Sequence, residues 1–456
     1  MSRYRHRSGP FKGKAKRQPR SNLQRAKHTD ADFDAAPTVE ATIERLSDKG
    51  DGVAMVDDQP VFVPYTATGD IVTFKRVDGH GRLMSVVSPG PGRHAATYPP
   101  PCVLFGDCGG CSFQHLTRAS EDQWKQNLVM DALLAEGIAA PPLSLAPRLP
   151  VAARRRVTLS AQRHGTDVVV GFRAKRSHRI VPMTMCAVVT PALFAAIEQL
   201  PQVLHLLPRH WNTLTIRLTQ CDNGFDLDIS DVPDAEIDPM VAEEFARAAL
   251  VLDIIRIAIN GMPIITHEAP MVLVDDIPVA IPPGAFLQAS RAGQESLIDL
   301  VAAGLSRFAI KPGALIADLF SGCGTFSLPI TRHHQVYAAD NDAPGIDALV
   351  QAHRHHQGLK PLTASARNLY RQPLLADELN RFTAIVIDPP RAGAPAQVKQ
   401  IAESTVPCLV YVSCNPKSFA RDARLLAKDG FTLQALTLVD QFAHSPHVEV
   451  VGVFIR

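Results

Sequence analysis

The sequence lacks any run of about 18 uncharged apolar residues, so we expect no membrane-spanning helix. No apolar segment follows the charged N-terminus, which argues against a secretory signal. Only 8 cysteines occur in 456 residues, too few for a disulfide scaffold, so we expect the cysteines to bind a metal or to react. These absences predict a cytoplasmic protein, and the length leaves room for two or three domains.

Acidic residues are absent from the first 28 positions, which contain ten Lys or Arg. Because the whole chain has a net charge of only +2, the remainder is net negative. Glycine and proline interrupt this basic segment, and we predict a disordered tail over residues 1–36. Such a tail can bind nucleic-acid phosphates by releasing their counterions, although a purely solubilising tail is the alternative.

Residues 37–91 alternate between apolar and polar side chains in short runs. Turn signals separate the runs as Lys-Gly-Asp-Gly, Asp-Asp-Gln-Pro and Thr-Gly-Asp, which predicts a small β-barrel. The pattern resembles a TRAM domain, an oligonucleotide-binding (OB) type of barrel attached to RNA-modifying enzymes. The segment "SPGPGR" at 88–93 then predicts a linker.

Three cysteines follow the linker in "CVLFGDCGGCSFQHL", at Cys102, Cys108 and Cys111. The Cys-Gly-Gly-Cys turn lets two thiolates converge, because glycine removes side-chain crowding. Soft-metal and iron–sulfur sites usually close at four cysteines, and Cys186 is the best candidate for the fourth. The ligands alone leave an iron–sulfur cluster and zinc both open.

Residues 92–270 predict an α+β central domain that carries this cysteine site. Two basic groups lie in it, in segments that alternate as strands: "RRRVTLSA" and "GFRAKRSHRIV". One interpretation is a shared face that contacts RNA phosphates, which orient RNA without reading its sequence. The other is ordinary solvated surface charge. The cations concerned are Arg154, Arg155, Arg156, Arg173, Lys175, Arg176 and Arg179.

Residues 271–456 predict a doubly wound α/β domain, in which ligands bind beyond the carboxyl ends of the strands. "GALIADLFSGCGTFSLPI" indicates a strand, a glycine-rich turn and a helix, and the next strand, "QVYAAD", ends at Asp340. Gly322 and Gly324 allow close approach of a ligand, and Asp340 can accept hydrogen bonds from a ribose diol. "SGCGTF" lacks the spacing of a dinucleotide fingerprint or a phosphate loop, which favours S-adenosylmethionine.

Two further strands end in reactive side chains. "FTAIVIDPPRAGA" places Asp388 at the end of the fourth strand, and "CLVYVSCNP" places Cys414 at the end of the next one. The intervening "PAQVKQIAES" predicts a helix, so both residues should lie at the same edge of the sheet. A cysteine in that position is interpreted as a reactive group rather than as core filling.

Four motifs in succession resemble those of the RNA uracil-C5 methyltransferases: "ADLFSGCGTFSLP", "DPPRAG", "YVSCNPKSFARD" and "HVEVV". With the barrel and the cysteines, the resemblance covers nearly the whole chain beyond residue 37. The branch it resembles acts on large-subunit ribosomal RNA. Three departures occur: "FAHSPHVE" replaces a common Phe-Pro-x-Thr before His-Val-Glu, Thr325 replaces a common Asn, and Asp340 replaces a common Glu.

The resemblance implies an α/β fold with a Rossmann-like S-adenosylmethionine-dependent methyltransferase domain, a TRAM barrel and an iron–sulfur central domain. It implies a 4Fe-4S cluster on the four cysteines, ahead of zinc. It also implies donor contacts, and these are Gln288, Phe320, Gly322, Gly324, Thr325, Asp340, Asn368 and Asp388. The expected substrate is a uridine in RNA, with ribosomal RNA as the first choice. This uridine is expected to be flipped out of the RNA fold to reach the thiol. We expect a monomer.

The implied chemistry assigns two catalytic residues. Carbon 5 of uracil is a poor nucleophile, and addition of the Cys414 thiolate to carbon 6 makes it enolate-like. After methyl transfer, Glu449 removes the carbon-5 proton and releases the enzyme. His447 is expected to lie two residues away on the same strand face.

Three alternatives remain at this point. A transfer-RNA uracil-C5 enzyme would use the same chemistry on another substrate. A cytosine-C5 enzyme usually carries a second cysteine in a Pro-Cys motif, which the "DPPR" turn lacks. A non-catalytic RNA-binding module would need only the tail, barrel and cysteine site, and Cys414 with Glu449 argues against it.

Overall fold

The computed structural model describes residues 30–95, 99–165, 167–232, 237–308 and 310–456. Most of the predicted basic tail therefore lies outside the described residues. Its last part differs from the prediction, because Asp30–Ala35 forms a short helix, α1. This segment has partners on the barrel: the Arg82 guanidinium lies 5.5 Å from the centre of the Phe33 ring, and Lys75 Nζ donates to the Asp34 carbonyl at 2.6 Å.

The N-terminal module is a six-stranded sheet with the strand order β1-β5-β6-β4-β3-β2. Its inward side chains, among them Ile43, Val63 and Phe74, are completely buried and form a core of their own. A small all-β module was predicted here, and the sheet agrees with it. The strands are β1 Thr38–Thr42, β2 Arg45–Leu46, β3 Gly52–Val56, β4 Gln59–Val63, β5 Ile71–Val77 and β6 His80–Ser88.

The central region contains a seven-stranded sheet with the order β10-β9-β8-β11-β12-β13-β14. Helices α3 (Pro191–Leu204) and α4 (Pro239–Leu250) pack on it, and Trp211 and Phe245 are buried in their shared core. The strands are β8 Arg156–His164, β9 Asp167–Arg173, β10 Ile180–Pro182, β11 Thr213–Cys221, β12 Gly224–Ser230, β13 Ile254–Ile259 and β14 Met262–Thr266.

The C-terminal domain is built on an eight-stranded sheet with the order β19-β18-β17-β20-β21-β23-β22-β7. Its central strands β20 and β21 are buried along their whole length, as expected of a parallel sheet covered by helices on both faces. The strands are β7 Leu143–Leu145, β17 Leu315–Leu319, β18 Gln335–Asp340, β19 Leu362–Ala366, β20 Ala384–Ile387, β21 Cys408–Ser413, β22 Thr432–Val439 and β23 Glu449–Ile455.

Helices and one hairpin complete this domain. The hairpin β15–β16 packs into the same apolar core as α5 and β17, through residues such as Val272 and Val279. Helix α9 follows β20, as the sequence predicts. The elements are β15 Met271–Val274, β16 Ile277–Ala280, α5 Arg291–Ser306, α6 Ser327–Thr331, α7 Ala343–His355, α8 Ala376–Leu379, α9 Pro395–Glu403 and α10 Pro416–Lys428.

Helix α2 (Arg118–Ala135) and β7 depart from the predicted central domain of residues 92–270. Val129 and Leu133 of α2 pack in the core of the C-terminal domain, and β7 pairs with β22 at the edge of that sheet. Burial of Val129 and Leu133 in that core explains the position of α2. Although α2 has 18 residues, neither it nor any other helix in the described part of the chain is long and apolar enough to cross a membrane.

Candidate active site

Strand direction brings the predicted catalytic residues together at one edge of the C-terminal sheet. Strands β20 and β21 are parallel, so Asp388 and Cys414, which directly follow them, leave at the same edge. Strand β23 is antiparallel to β21 and starts at that edge, with Val450 opposite Ser413. Glu449, its first residue, therefore faces Cys414, and its charge acts on the Cys414 thiol.

The glycine-rich turn after β17 leaves space beside the sheet edge. Phe320 and Gly322 both have left-handed backbone, with φ of +64° and +52°. The Gly322 N–H donates to Asp340 Oδ2 at 3.0 Å, which ties the turn to the end of β18. A Cβ on Gly322 would meet no atom within 4 Å, whereas one on Gly324 would lie 2.4 Å from a Leu349 methyl. Gly324 therefore serves packing, and Gly322 borders open space.

The other predicted donor residues lie around the same edge. Asn368 follows β19, and its Oδ1 accepts the Tyr370 and Arg371 N–H groups at 3.1 and 3.2 Å. The Tyr370 ring meets Phe320 edge-on, with 5.5 Å between ring centres. Thr325 is half-buried in the turn that also contains Gly322 and Gly324.

Three acidic residues, Asp318, Asp340 and Asp388, lie close together at this edge, and the pKa values of Asp318 and Asp388 are raised. Burial is the first cause that raises the pKa of Asp318 to about 7, and Asp340 adds to it. Burial together with the charges of Asp318 and Asp340 raises the pKa of Asp388 to about 8. A positively charged ligand would stabilise the ionised form of each acid, so the site favours cationic ligands.

The predicted nucleophile and base have perturbed pKa values as well. Burial, with the charges of Glu449 and Asp388, raises the pKa of the Cys414 thiol to about 11. Burial and Asp388 raise the pKa of Glu449 well above its usual range, against a hydrogen bond from Gln441. The thiol must therefore lose a proton before it reacts, and Glu449, once ionised, is a stronger base than an exposed carboxylate.

The loop that carries Asp388 is bonded to the helix that follows Cys414. Asn415 Nδ2 donates to the Arg391 carbonyl at 2.8 Å. Asp422 is completely buried in α10 and accepts the Ala394 N–H at 2.8 Å and the Tyr411 hydroxyl at 2.7 Å. These bonds fix the "DPPR" turn relative to the thiol.

Gln441 is a site residue that the sequence did not reveal. Its Nε2 donates to Gln288 Oε1 at 3.0 Å, and Gln288 Nε2 in turn lies 3.5 Å from Asp388 Oδ2. Gln441 also opposes the rise in the pKa of Glu449, so buried amides link the base to the predicted donor site. The only signal in the sequence was the position of Gln441 in the loop before Glu449.

His447 does not lie on the strand face that was predicted for it. Strand β23 begins at Glu449, so His447 belongs to the preceding loop, where its ring meets Phe442 edge-on at 5.8 Å. Burial lowers its pKa, and the charges of Arg391 and Arg154 add to this effect. His447 is therefore neutral at physiological pH and faces two cations.

The two basic groups mostly hold the protein together. Arg155 is buried and donates to the Gln288 carbonyl at 3.2 Å and to Gln294 Oε1 at 2.8 Å. Lys175 and Arg176 pair with Asp51 of the barrel at 2.7 and 2.6 Å. Arg155, Lys175 and Arg176 therefore have partners within the chain, and the phosphate-binding face stays a prediction.

The four predicted metal-binding cysteines lie near one another. Burial raises the pKa of Cys111 to about 12, and charges on Cys186, Cys108 and Cys102 act on it in the same direction. Gln114 bonds Cys111 and accepts the Cys102 N–H at 3.1 Å. In the part of the chain that the structure describes, no three His, Cys, Asp or Glu side chains form a group that could hold one metal ion.

The Cys-Gly-Gly-Cys turn is fixed to the central sheet. The Gly109 N–H donates to the Arg173 carbonyl at 3.0 Å, and the backbone of Cys108 forms an isolated antiparallel β-bridge with Ala174. A Cβ on Gly109 would lie 2.6 Å from the same carbonyl, so no other residue fits without a shift. The glycine thus permits the close approach that seats the cysteine loop.

Comparison with known proteins identifies the family. A family model described as tRNA (uracil-5-)-methyltransferase matches residues 311–456, and one for the TRAM domain of tRNA (uracil(54)-C(5))-methyltransferase matches residues 39–83. An RNA methyltransferase of Caulobacter vibrioides is 39% identical over 425 residues, with 91% of this chain and 99% of the relative covered. The chain belongs to the RNA uracil-C5 methyltransferase family.

Further similarities agree with this assignment. The 23S rRNA (uracil(1939)-C(5))-methyltransferase RlmD of Vibrio cholerae is 28% identical over 453 residues, with 95% of this chain and 99% of RlmD covered. The crystal structure of the Pyrococcus abyssi tRNA (uracil-54, C5)-methyltransferase has a TM-score of 0.69 and 21% identity, and the match covers 91% of this chain and 99% of that one. The predicted fold class and the predicted enzyme class are confirmed.

Proposed function

We propose that this uracil-C5 methyltransferase transfers a methyl group from S-adenosylmethionine to a uridine of large-subunit ribosomal RNA, with Cys414 as nucleophile and Glu449 as base. The observation that carries the proposal is the entry of antiparallel β23 at the carboxyl edge of the sheet, which sets Glu449 against Cys414. Asp388 acts on both groups, so the three side chains share one reaction site.

The first step is addition of sulfur to the base. The Cys414 proton passes to the Asp388 carboxylate, whose charge acts on the thiol. The sulfur–carbon-6 bond forms as the electron pair of the carbon-5–carbon-6 double bond moves toward oxygen 4. Carbon 5 is then nucleophilic enough to accept a methyl group.

The second step restores the aromatic base. Glu449 takes the carbon-5 proton, the electron pair reforms the carbon-5–carbon-6 double bond, and the sulfur–carbon-6 bond breaks. Burial of Glu449, at 4% exposure, excludes water from this transfer and increases its basicity.

The methyl donor fits the residues around the glycine turn. S-adenosylmethionine supplies an electrophilic methyl group and a positive charge. In this proposal the donor occupies the open space beside Gly322, the Asp340 carboxylate accepts hydrogen bonds from its ribose, and Asn368 and Gln288 contact it. The raised pKa values of Asp318 and Asp388 support this fit, since a cationic ligand stabilises both carboxylates.

Ribosomal RNA is proposed as the substrate because the relative RlmD, which acts on 23S rRNA, matches nearly the full length of the chain. Transfer RNA is the second candidate, favoured by the name of the matching family model. Deleting the gene is expected to remove one 5-methyluridine from large-subunit ribosomal RNA and none from transfer RNA, as mapped by mass spectrometry of RNA fragments. Loss from transfer RNA alone would assign the enzyme to the other substrate.

We further propose that Cys102, Cys108, Cys111 and Cys186 hold a 4Fe-4S cluster. Coordination requires thiolates. Because the pKa of Cys111 is raised, its thiolate forms only when nearby cations offset the negative charge on the sulfur. What supports a cluster over zinc is the resemblance of the cysteine spacing to the four-cysteine 4Fe-4S site of the family, together with the effect of Cys186, Cys108 and Cys102 on the pKa of Cys111.

Iron analysis tests the cysteine site. Protein purified without oxygen is expected to be brown and to contain about four irons per chain. Cys111→Ser should lose most of the iron, because it removes one of four ligands. Cys221→Ser is the matched control, since burial raises the pKa of Cys221 to about 12 as well, but Asp226, Arg256 and Arg155 act on it instead of the other three cysteines. A colourless protein with one zinc per chain would contradict the proposal.

A further inference from the structure

The loop between β22 and β23 carries the chain to Glu449 and is anchored to α2. Lys125 is completely buried, and its Nζ lies 2.6 Å from Glu121 Oε1 and 2.7 Å from Asp440 Oδ1. The same ammonium donates to the Phe442 carbonyl at 3.2 Å. A buried charge network of this kind is costly to break, because loss of one partner leaves another charge unpaired.

His444 is held at the centre of this loop from two sides. Its carbonyl accepts the N–H groups of Ser112 and Phe113, the two residues that directly follow Cys111, at 2.8 and 3.2 Å. Its own N–H donates to Glu121 Oε1 at 2.9 Å. Burial alone would raise the pKa of Glu121, but the bonds from His444 and Lys125 outweigh it and hold the pKa at about 2. The carboxylate is therefore a permanent acceptor.

The backbone of His444 is left-handed, with φ of +60°. L-residues disfavour this conformation, since Cβ approaches the following carbonyl, and among them asparagine, aspartate and histidine adopt it more often than the others. Such strain persists only where the surroundings hold it, and it concentrates at functional sites. Here the holding groups are the cysteine loop and α2, and Glu449 follows five residues later.

We propose that the cysteine loop and α2 clamp His444 in its left-handed conformation and thereby position Glu449 for proton removal. His444 is then a positioning residue that acts through the base. The inference rests on the proposed function, in which Glu449 is that base. It also gives the cysteine loop a part in catalysis without any electron transfer.

The clamp should affect one chemical step more than the other. Cys414 leaves β21 and is fixed by α10 and the "DPPR" turn, outside the clamped loop. Glu449 must reach hydrogen-bond distance of the carbon-5 proton, and a shift of about 1 Å can slow such a step by about 100-fold. A loosened clamp should therefore slow release and leave thiol addition intact.

A substitution series at His444 in the full-length protein tests the clamp. His444→Gly and His444→Asn accept left-handed backbone, His444→Ala accepts it poorly, and the β-branched His444→Val accepts it worst. Thiol addition is measured as the rate of trapping by RNA containing 5-fluorouridine. Release is measured as the decay of the methyl-labelled, denaturation-resistant complex on unmodified RNA. We expect the Gly and Asn variants to release RNA fastest, the Ala variant more slowly and the Val variant most slowly, by up to about 100-fold relative to wild type. The rate of trapping should stay within about threefold of wild type in all four variants.

The control is Asp253→Val. Asp253 is another left-handed residue, with φ of +55°, but it lies in an exposed turn before β13. Its variant should lose stability without slowing release. Equal release rates across the His444 series would overturn the inference, and so would release and trapping rates that decline together. If the valine variant does not fold, the comparison of the glycine and alanine variants decides. If wild type itself is never trapped, the proposed function fails instead.

Discussion

Replacing Cys414 by alanine is expected to abolish methylation and to prevent trapping by RNA that carries 5-fluorouridine at the target. Without sulfur addition, carbon 5 stays too weak a nucleophile to accept a methyl group. Fluorine traps the wild-type enzyme because carbon 5 then bears no proton that a base can remove. We expect turnover to fall by a factor on the order of 10⁴ or more, measured as methyl-label incorporation into RNA.

Cys408→Ala provides the matched control for this loss. Cys408 is the first residue of β21, the strand that ends directly before Cys414, and it is fully buried. Its variant should be less stable, because a cavity replaces the thiol, yet still form the trapped complex. Methylation by Cys414→Ala at the wild-type rate would remove the thiol from the mechanism.

Replacing Glu449 by glutamine is expected to arrest the enzyme after methyl transfer. Glutamine keeps the size and the buried position but cannot take the carbon-5 proton, so the sulfur–carbon-6 bond persists. Release should slow by about 10²- to 10⁴-fold, the usual share of a general base. Addition and methyl transfer should continue, because neither step requires this carboxylate as its final proton acceptor.

The pH dependence of release follows from the same residue. Only ionised Glu449 accepts the proton, and its pKa is raised well above the usual carboxyl range. In wild type, release should therefore accelerate as the pH rises toward that pKa and level off above it. In Glu449→Gln the slow release should be independent of pH over the same range, because the titrating group is gone.

Much of the site could be predicted from local sequence. Buried apolar runs that end in Asp340, Asp388 and Cys414 specify parallel strands, and such strands place their carboxyl ends at one edge. The glycines after β17 require a turn with left-handed backbone, and Gly322 has it. These inferences depend on short-range patterns that the chain states directly.

Long-range contacts could not be predicted in this way. Nothing in the spacing of Lys175 and Arg176 indicates that Asp51 of the barrel pairs with both. Likewise, Lys125 in α2 reads as a surface charge on an amphipathic helix, yet it is buried against Asp440. A polar or charged residue reveals its partner only when the fold brings the two together, which is also why Gln441 was missed.

The measurement that tests the central claim most directly is the amount of methyl-labelled, denaturation-resistant protein–RNA complex formed on unmodified RNA. It compares wild type, Cys414→Ala and Glu449→Gln. We predict a long-lived labelled complex in Glu449→Gln, a transient one in wild type and none in Cys414→Ala. Turnover of Glu449→Gln at the wild-type rate with no trapped species would contradict the account, because proton removal would then belong to another residue.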